Sequence, residues 1–173
     1  MHNVTEILLG LKNRLDSSNR LLIQATHGNV HWTRFTFNPP IPVKELDRLV
    51  NKENLILPEG YKEFLLLHNG VYLFEDEYSA GIALYKAQDI PNRLKQFQYN
   101  FGPYLTEDNR GSYPIGSYPN IGEIMINYNY IKEGRKDYMW IADDQMSKMG
   151  QNTFESWLDK LIVSQGSFFW EWN

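Results

Sequence analysis

The chain has 173 residues, 17 Lys and Arg against 21 Asp and Glu for a formal net charge of −4, 42% hydrophobic residues and no cysteine. That length and apolar content fit one domain with one buried core, which excludes a disordered chain and a mini-protein scaffold. The missing cysteine excludes disulfides, a thiolate nucleophile, zinc ribbons and iron–sulfur sites and fits a reducing compartment, while the acidic balance argues against bulk binding of nucleic acid.

Val4, Leu8, Leu11 and Leu15 recur at helical spacing and predict an amphipathic first helix, with Asn3 as its cap and Glu6 completing a capping box. No positive leader precedes a long apolar run, and no stretch approaches the roughly 18–20 apolar residues that span a bilayer, so the expected setting is soluble and cytoplasmic. Residues 21–37, with β-prone Val30 to Phe37, read as a strand or a hairpin. Asn38-Pro39-Pro40-Ile41-Pro42 ends it, and Val43, Leu46, Leu49 and Val50 form the apolar stripe of a short helix. A second helix follows Leu57-Pro58-Glu59-Gly60, carries Tyr61, Phe64, Leu65 and His68, and is expected to stop on Asn69-Gly70.

Strands are expected at Val71–Phe74 and Gly81–Tyr85, on either side of the acidic loop Glu75-Asp76-Glu77-Tyr78-Ser79, and a helix between Ala87 and Asn100. Phe101 to Pro119 is rich in Gly and Pro and reads as a connection to strands at Glu123–Ile131 and Asp137–Ala142, joined by a turn at Glu133-Gly134-Arg135. A closing helix over about Thr153–Ser164, capped by Asn152 and stopped by Gly166, presents Phe154, Trp157, Leu158, Leu161 and Ile162. The aromatic tail Phe168 to Trp172 must return to the core or cover an edge, because each buried ring is worth roughly 1.5–3 kcal/mol. Helices and strands in blocks rather than strict alternation predict an α+β fold, a mostly antiparallel sheet packed against helices.

No arrangement of residues carries an enzyme mechanism. His27 and His31 are four apart, but Gly28 and Asn29 between them oppose the helix that would align two imidazoles on a metal. Glu63 and His68 lie about 140° apart around a helix. Nucleophile elbow, dinucleotide fingerprint and phosphate loop are all missing, and Pro114 inside Gly111-Ser112-Tyr113-Pro114-Ile115-Gly116 removes a donor that a phosphate cradle would use. Residues 1–62 hold 8 basic and 6 acidic side chains and residues 63–173 hold 9 and 15, so the acidity belongs to the second part. Its clusters, Glu75, Asp76 and Glu77 and then Asp143 and Asp144, read either as solvated loops or as a contact surface for a basic partner.

Leu57-Pro58-Glu59-Gly60-Tyr61-Lys62-Glu63-Phe64-Leu65-Leu66-Leu67-His68-Asn69-Gly70 resembles the signature of the SUKH superfamily, the Smi/Knr-type domains of fungal cell-wall regulators and bacterial toxin-immunity proteins. Pro114-Ile115-Gly116-Ser117, Gly122-Glu123, Tyr138-Met139-Trp140-Ile141 with Asp143, and Thr153-Phe154-Glu155-Ser156-Trp157-Leu158 are similar to later family motifs and stand in the family's order. Tyr118-Pro119-Asn120-Ile121 departs from the family's glycine-rich turn. The resemblance divides the chain into an N-terminal extension (1–39), a SUKH-like domain (40–163) and an aromatic tail (164–173). It implies a non-enzymatic immunity protein that needs no cofactor or metal and binds neither nucleic acid nor membrane. Such a protein neutralises a cognate protein toxin, often a nuclease, by surface occlusion; the charge pattern of the chain places the contact with a basic toxin surface at Glu75, Asp76 and Glu77, with Asp143 and Asp144 as second choice. A regulatory protein-interaction scaffold and a small-ligand binder using the Tyr113–Tyr118 loop are the alternatives.

Overall fold

The computed structural model describes residues 3–24, 28–143 and 145–171. It is an α+β fold, a seven-stranded antiparallel sheet in simple sequential order with helices on both faces. No helix among the described residues is long and apolar enough to cross a membrane.

Helix α1 (Val4–Lys12) begins as the sequence predicts: Asn3 Oδ1 accepts from Glu6 N (2.9 Å) and Glu6 Oε2 from Asn3 N (3.3 Å). Its apolar side, Val4, Ile7, Leu8 and Leu11, is buried against the helices at Glu59–Leu67 and Phe154–Val163. Glu63 Oε1 ties it down by accepting from Thr5 N (3.0 Å) and Thr5 Oγ1 (2.6 Å). Strands β1 (Arg20–Gln24) and β2 (Val30–Phe37) form a hairpin that joins the same sheet through β3, so the N-terminal residues supply two strands of the common sheet.

Helices α2 (Val43–Glu53) and α3 (Glu59–Leu67) both start after proline, Pro42 and Pro58. The end of α3 differs from expectation: His68 is already extended, and the positive φ falls at Gly70 (+89°). A Cβ there would lie 2.9 Å from the Leu84 carbonyl oxygen, so glycine serves the entry to the next strand rather than the helix stop. His68 is held between elements, with Nδ1 2.8 Å from the Asn38 carbonyl and Nε2 2.6 Å from Lys12 Nζ. A carbonyl can only accept, so Nδ1 carries the proton and Nε2 receives the lysine's.

Burial and the Lys12 charge hold His68 below its ordinary pKa, against the pull of the Asn38 carbonyl. The unfolded imidazole protonates near pH 6.5 and the folded one only at lower pH. The contact therefore contributes stability fully above about pH 6.5 and loses it as pH falls through the folded value. Denaturant midpoints at pH 7.5 and 5.5 are expected to differ less in His68→Gln than in the parent chain.

Strands β3 (Val71–Glu75) and β4 (Ile82–Leu84) pair as predicted. Phe74 has φ +59° at a bulge between β2 and β3. The bulge sends both Leu73 and Phe74 into the core and turns Glu75 to the other face, where Thr36 Oγ1 donates to it (2.7 Å). After a 3-10 turn at Ala87–Asp89 comes α4 (Ile90–Phe101).

Three expectations fail locally. The Gly/Pro-rich stretch contains an internal strand, β5 (Ser112–Tyr118), between β4 and β6. Proline is tolerated there because the register shifts between Pro114 and Gly116, and a Cβ at Gly116 would sit 2.2 Å from the Ala83 carbonyl oxygen of the adjoining strand. The next strand, β6 (Gly122–Asn127), stops early because Asn127 caps α5 (Tyr128–Lys132), its side chain accepting from Asn129 N and Tyr130 N. After β7 (Met139–Ala142), α6 (Phe154–Val163) is capped by Thr153, not Asn152.

The main core lies between one face of the sheet and α1, α3 and α6, with Phe35, Leu73, Ile115, Ile124 and Ile141 meeting Phe64, Phe154 and Trp157. On the opposite face α4 covers only the β5–β7 side, where Phe97 packs with Met125, Trp140 and Ala142. The tail turns back, Phe168 packing on Tyr118 (4.6 Å between ring centroids), whose hydroxyl donates to the Gly166 carbonyl.

Candidate functional site

The β1–β4 side of that second face is left uncovered. Strand alternation and register place Leu22, Trp32, Arg34, Thr36, Tyr72 and Ala83 on it, and Trp32 and Tyr72 remain 51% and 44% exposed. Arg20 stacks on the Trp32 ring (5.0 Å) and pairs with Asp16 (3.0 Å), which steadies the indole without hiding it. Large aromatic surface held in place and half exposed is what protein interfaces use as anchors.

Neighbouring stretches of chain take up part of each sheet edge. Along β1, Asp16 N donates to the Arg20 carbonyl, Asp16 Oδ1 accepts from Arg20 N, and Gln165 Oε1 accepts from Gln24 N (2.7 Å). Along β7, Ile141 N donates to the Ser147 carbonyl (2.9 Å) as the following chain folds back.

The sheet brings most of the acidic residues singled out in the sequence to one end and gives them different tasks. Glu75 and Asp76, with Arg20, Trp32 and Arg34, line a shallow cleft of about 400 Å³. Asp76 Oδ1 accepts from Tyr78 N (2.8 Å) and Ser79 N (2.7 Å), closing its own turn, and its Oδ2 lies 3.4 Å from His31 Nε2. Glu77 is exposed, and its carboxylate beside Tyr78 raises the phenol's pKa. Asp143 follows β7 at the same end of the sheet, four strand spacings from β3 or about 19 Å. Its Oδ1 also holds a turn, accepting from Gln145 N (3.0 Å) and Ser147 N (2.9 Å). Asp144 and His27 lie outside the described residues.

Asp76 and Glu77 should therefore separate in stability measurements. Asp76→Ala removes the acceptor of two backbone N–H donors and is expected to cost about 1–2 kcal/mol, whereas Glu77→Ala should change the denaturant midpoint little.

A second cleft, of about 420 Å³, opens between the sheet and α4 and is lined by Tyr72, Ala83, Tyr85, Lys86, Asp89 and Arg93. Tyr85 Oη donates to Glu123 Oε2 (2.8 Å), and the Arg93 guanidinium lies over the Tyr85 ring (4.5 Å). Burial raises the Glu123 pKa, with Tyr85 and Arg93 opposing it, and burial pushes Tyr85 up to about 12. Thr36, Tyr72, Ala83, Ser117, Glu123 and Ala142 are consecutive register partners from β2 to β7, one row across the face.

Sequence reasoning missed this face. Alternation in Val30–Phe37 is visible, but Trp32 and Phe35 put an aromatic on each side of the strand, and nothing local says which side the helices cover. Among the described residues, no group of three or more His, Asp or Glu could hold a metal ion.

The SMI1 / KNR4 family (SUKH-1) model matches residues 40–160. The chain belongs to this family. The SUKH-1 match runs from Pro40 into α6, so β1 and β2, which carry Leu22 and Trp32, lie outside it. The chain is also 28% identical over 171 residues to Uncharacterized protein YobM of Bacillus subtilis (strain 168), covering 95% of this chain and 89% of that protein. It is 28% identical over 172 residues to Immunity protein RhsIB of Dickeya dadantii (strain 3937), covering 89% of this chain and 96% of RhsIB.

Proposed function

We propose that this chain is a cytoplasmic immunity protein that acts by binding, without catalysis, and neutralises a cognate toxin through the uncovered β1–β4 face of its sheet. The observation that carries the reading is the end-to-end similarity to Immunity protein RhsIB, within a SUKH-1 chain. Half-exposed Trp32 and Tyr72 on the uncovered sheet face support a face-on contact. Trp32 and Leu22 stand on strands outside the family match, where a protein that must distinguish one toxin can vary without disturbing the shared fold.

Glu75, Asp76, Glu77 and Asp143 are proposed as the acidic border of this surface, with Asp144 as a further contact residue, steering a basic toxin toward it. A nuclease fits that description because its substrate is a polyanion and its binding surface is correspondingly basic. The test is to identify a secreted-toxin gene beside the gene for this chain and coexpress the two products: growth is restored and the two chains copurify. Persisting toxicity at full expression of a soluble chain would contradict the reading.

A further inference from the structure

We infer that the cleft between α4 and the β3–β4 strands receives a carboxylate side chain, Asp or Glu, presented by a loop of the partner protein, with Arg93 and Lys86 as its receptors. The inference rests on the reading of this face as the partner surface and adds the chemistry of one contact.

Arg93 is arranged as a receptor. Its guanidinium lies over the Tyr85 ring with 4.5 Å between the carbon and the ring centroid, and the ring is itself fixed by the Tyr85 Oη hydrogen bond to Glu123 (2.8 Å). A guanidinium held over an aromatic ring by cation–π attraction retains N–H donors, and arginine can engage a carboxylate with two parallel hydrogen bonds. Neither the Arg93 nor the Lys86 side chain has a hydrogen bond or a close ion pair with any described residue; Arg93 acts on the Glu123 carboxylate through charge alone, while Tyr85 donates to it. Both cations line the same cleft, and about 420 Å³ admits a short side chain together with part of the loop that bears it.

The cleft also selects against a polyanion. Asp89 stands on its rim and Glu123 beneath Tyr85, so the local charge is close to balanced. One carboxylate between Arg93 and Lys86 gains two cationic partners, while a phosphate backbone continuing past them meets Asp89 and, along the face, Glu75 and Asp76. A protein carboxylate is accordingly favoured over a nucleic acid.

The first test uses the free, full-length chain with ¹⁵N-labelled arginine, titrated with the capped peptide acetyl-Gly-Asp-Gly-amide, its Lys counterpart, and inorganic phosphate. The Arg93 Nε–Hε resonance should shift saturably with the Asp peptide only, and Lys86→Ala should raise the half-saturation concentration about fivefold, the size of one exposed ion pair. An unmoved Arg93 resonance, or a response to phosphate at lower concentration than to the Asp peptide, overturns the inference.

The second test uses the copurified toxin. Arg93→Gln should weaken binding about tenfold or more, as for a charge-assisted contact, with the melting temperature held within about 2 °C. Full-strength toxin binding by Arg93→Gln overturns the carboxylate contact and leaves the immunity reading intact. A wild-type chain that shows the peptide shift but neither binds nor neutralises the toxin overturns the immunity reading alone.

Discussion

Replacing Trp32 and Tyr72 together by alanine is expected to weaken toxin binding by roughly 100-fold to 1,000-fold, since interface aromatics of this kind cost about 2 kcal/mol or more each when truncated and do not add fully. The same pair should leave the fold nearly untouched. At 51% and 44% exposure, half of each side chain already faces water, and the stacking lost with Arg20 is worth only about 0.5–1 kcal/mol at an exposed site. Calorimetric titration against the toxin, beside a thermal melt of each variant, separates the two quantities. An unchanged affinity in the double variant would remove the uncovered face from the interface; a collapse of the melting temperature would make these residues part of the fold instead.

Trp157→Ala is expected to have the largest effect on stability, about 3–5 kcal/mol, a large part of the roughly 5–15 kcal/mol that holds a domain folded. Trp157 is fully buried and packs on Phe154 (5.9 Å), which in turn meets Tyr61 (5.0 Å) and Phe64 (5.4 Å). This cluster joins α3 to α6, so its loss opens the main core where two helices meet and should lower the melting temperature by about 10 °C. Trp157→Phe is a sharper companion. The indole Nε1 is buried without a hydrogen-bond partner, so phenylalanine sheds an unpaired donor while keeping most of the apolar volume, and it should fall within about 1.5 kcal/mol of the parent.

The same cluster shows which parts of the molecule could be read from the sequence. Tyr61, Phe64, Leu65, Phe154, Trp157 and Leu158 stand in the two stretches that resemble SUKH motifs, and all are buried; their spacing records helices with one apolar side, a local property. The capping box at Asn3 and the hairpin partners β3 and β4 were legible for the same reason. The strand β5 was legible only through the likeness of Pro114-Ile115-Gly116-Ser117 to a family motif, because Pro114 and Gly116 carry low strand propensity, and what allows them there, a register shift and the close passage of Ala83, belongs to the neighbouring strand. The turn of β6 into α5 was missed because Asn127 reads equally well as a strand residue until its side chain is seen capping the helix.

The surface was less legible than the fold. Charge counting found Glu75, Asp76, Glu77 and Asp143, but counting treats each carboxylate as free, whereas Asp76 and Asp143 hold turns and Glu75 bonds to Thr36. Which face of the sheet stays uncovered depends on where α4 ends and on the bulge at Phe74 that turns Glu75 outward. Both are long-range outcomes. Arg93 and Tyr85 sit eight positions apart with no pattern to join them, and only the packing of α4 over the sheet brings the guanidinium onto the ring.

Hydrogen–deuterium exchange of the chain, alone and saturated with the toxin, locates the contact most directly. Protection is expected in peptides spanning 30–37, 71–86 and 117–123, which form the uncovered face and its acidic end, with α1 and the outer side of α6 unchanged. Protection confined to α1 and α6, with β2 through β4 exchanging as in the free chain, would contradict the assignment of the open sheet face as the binding surface.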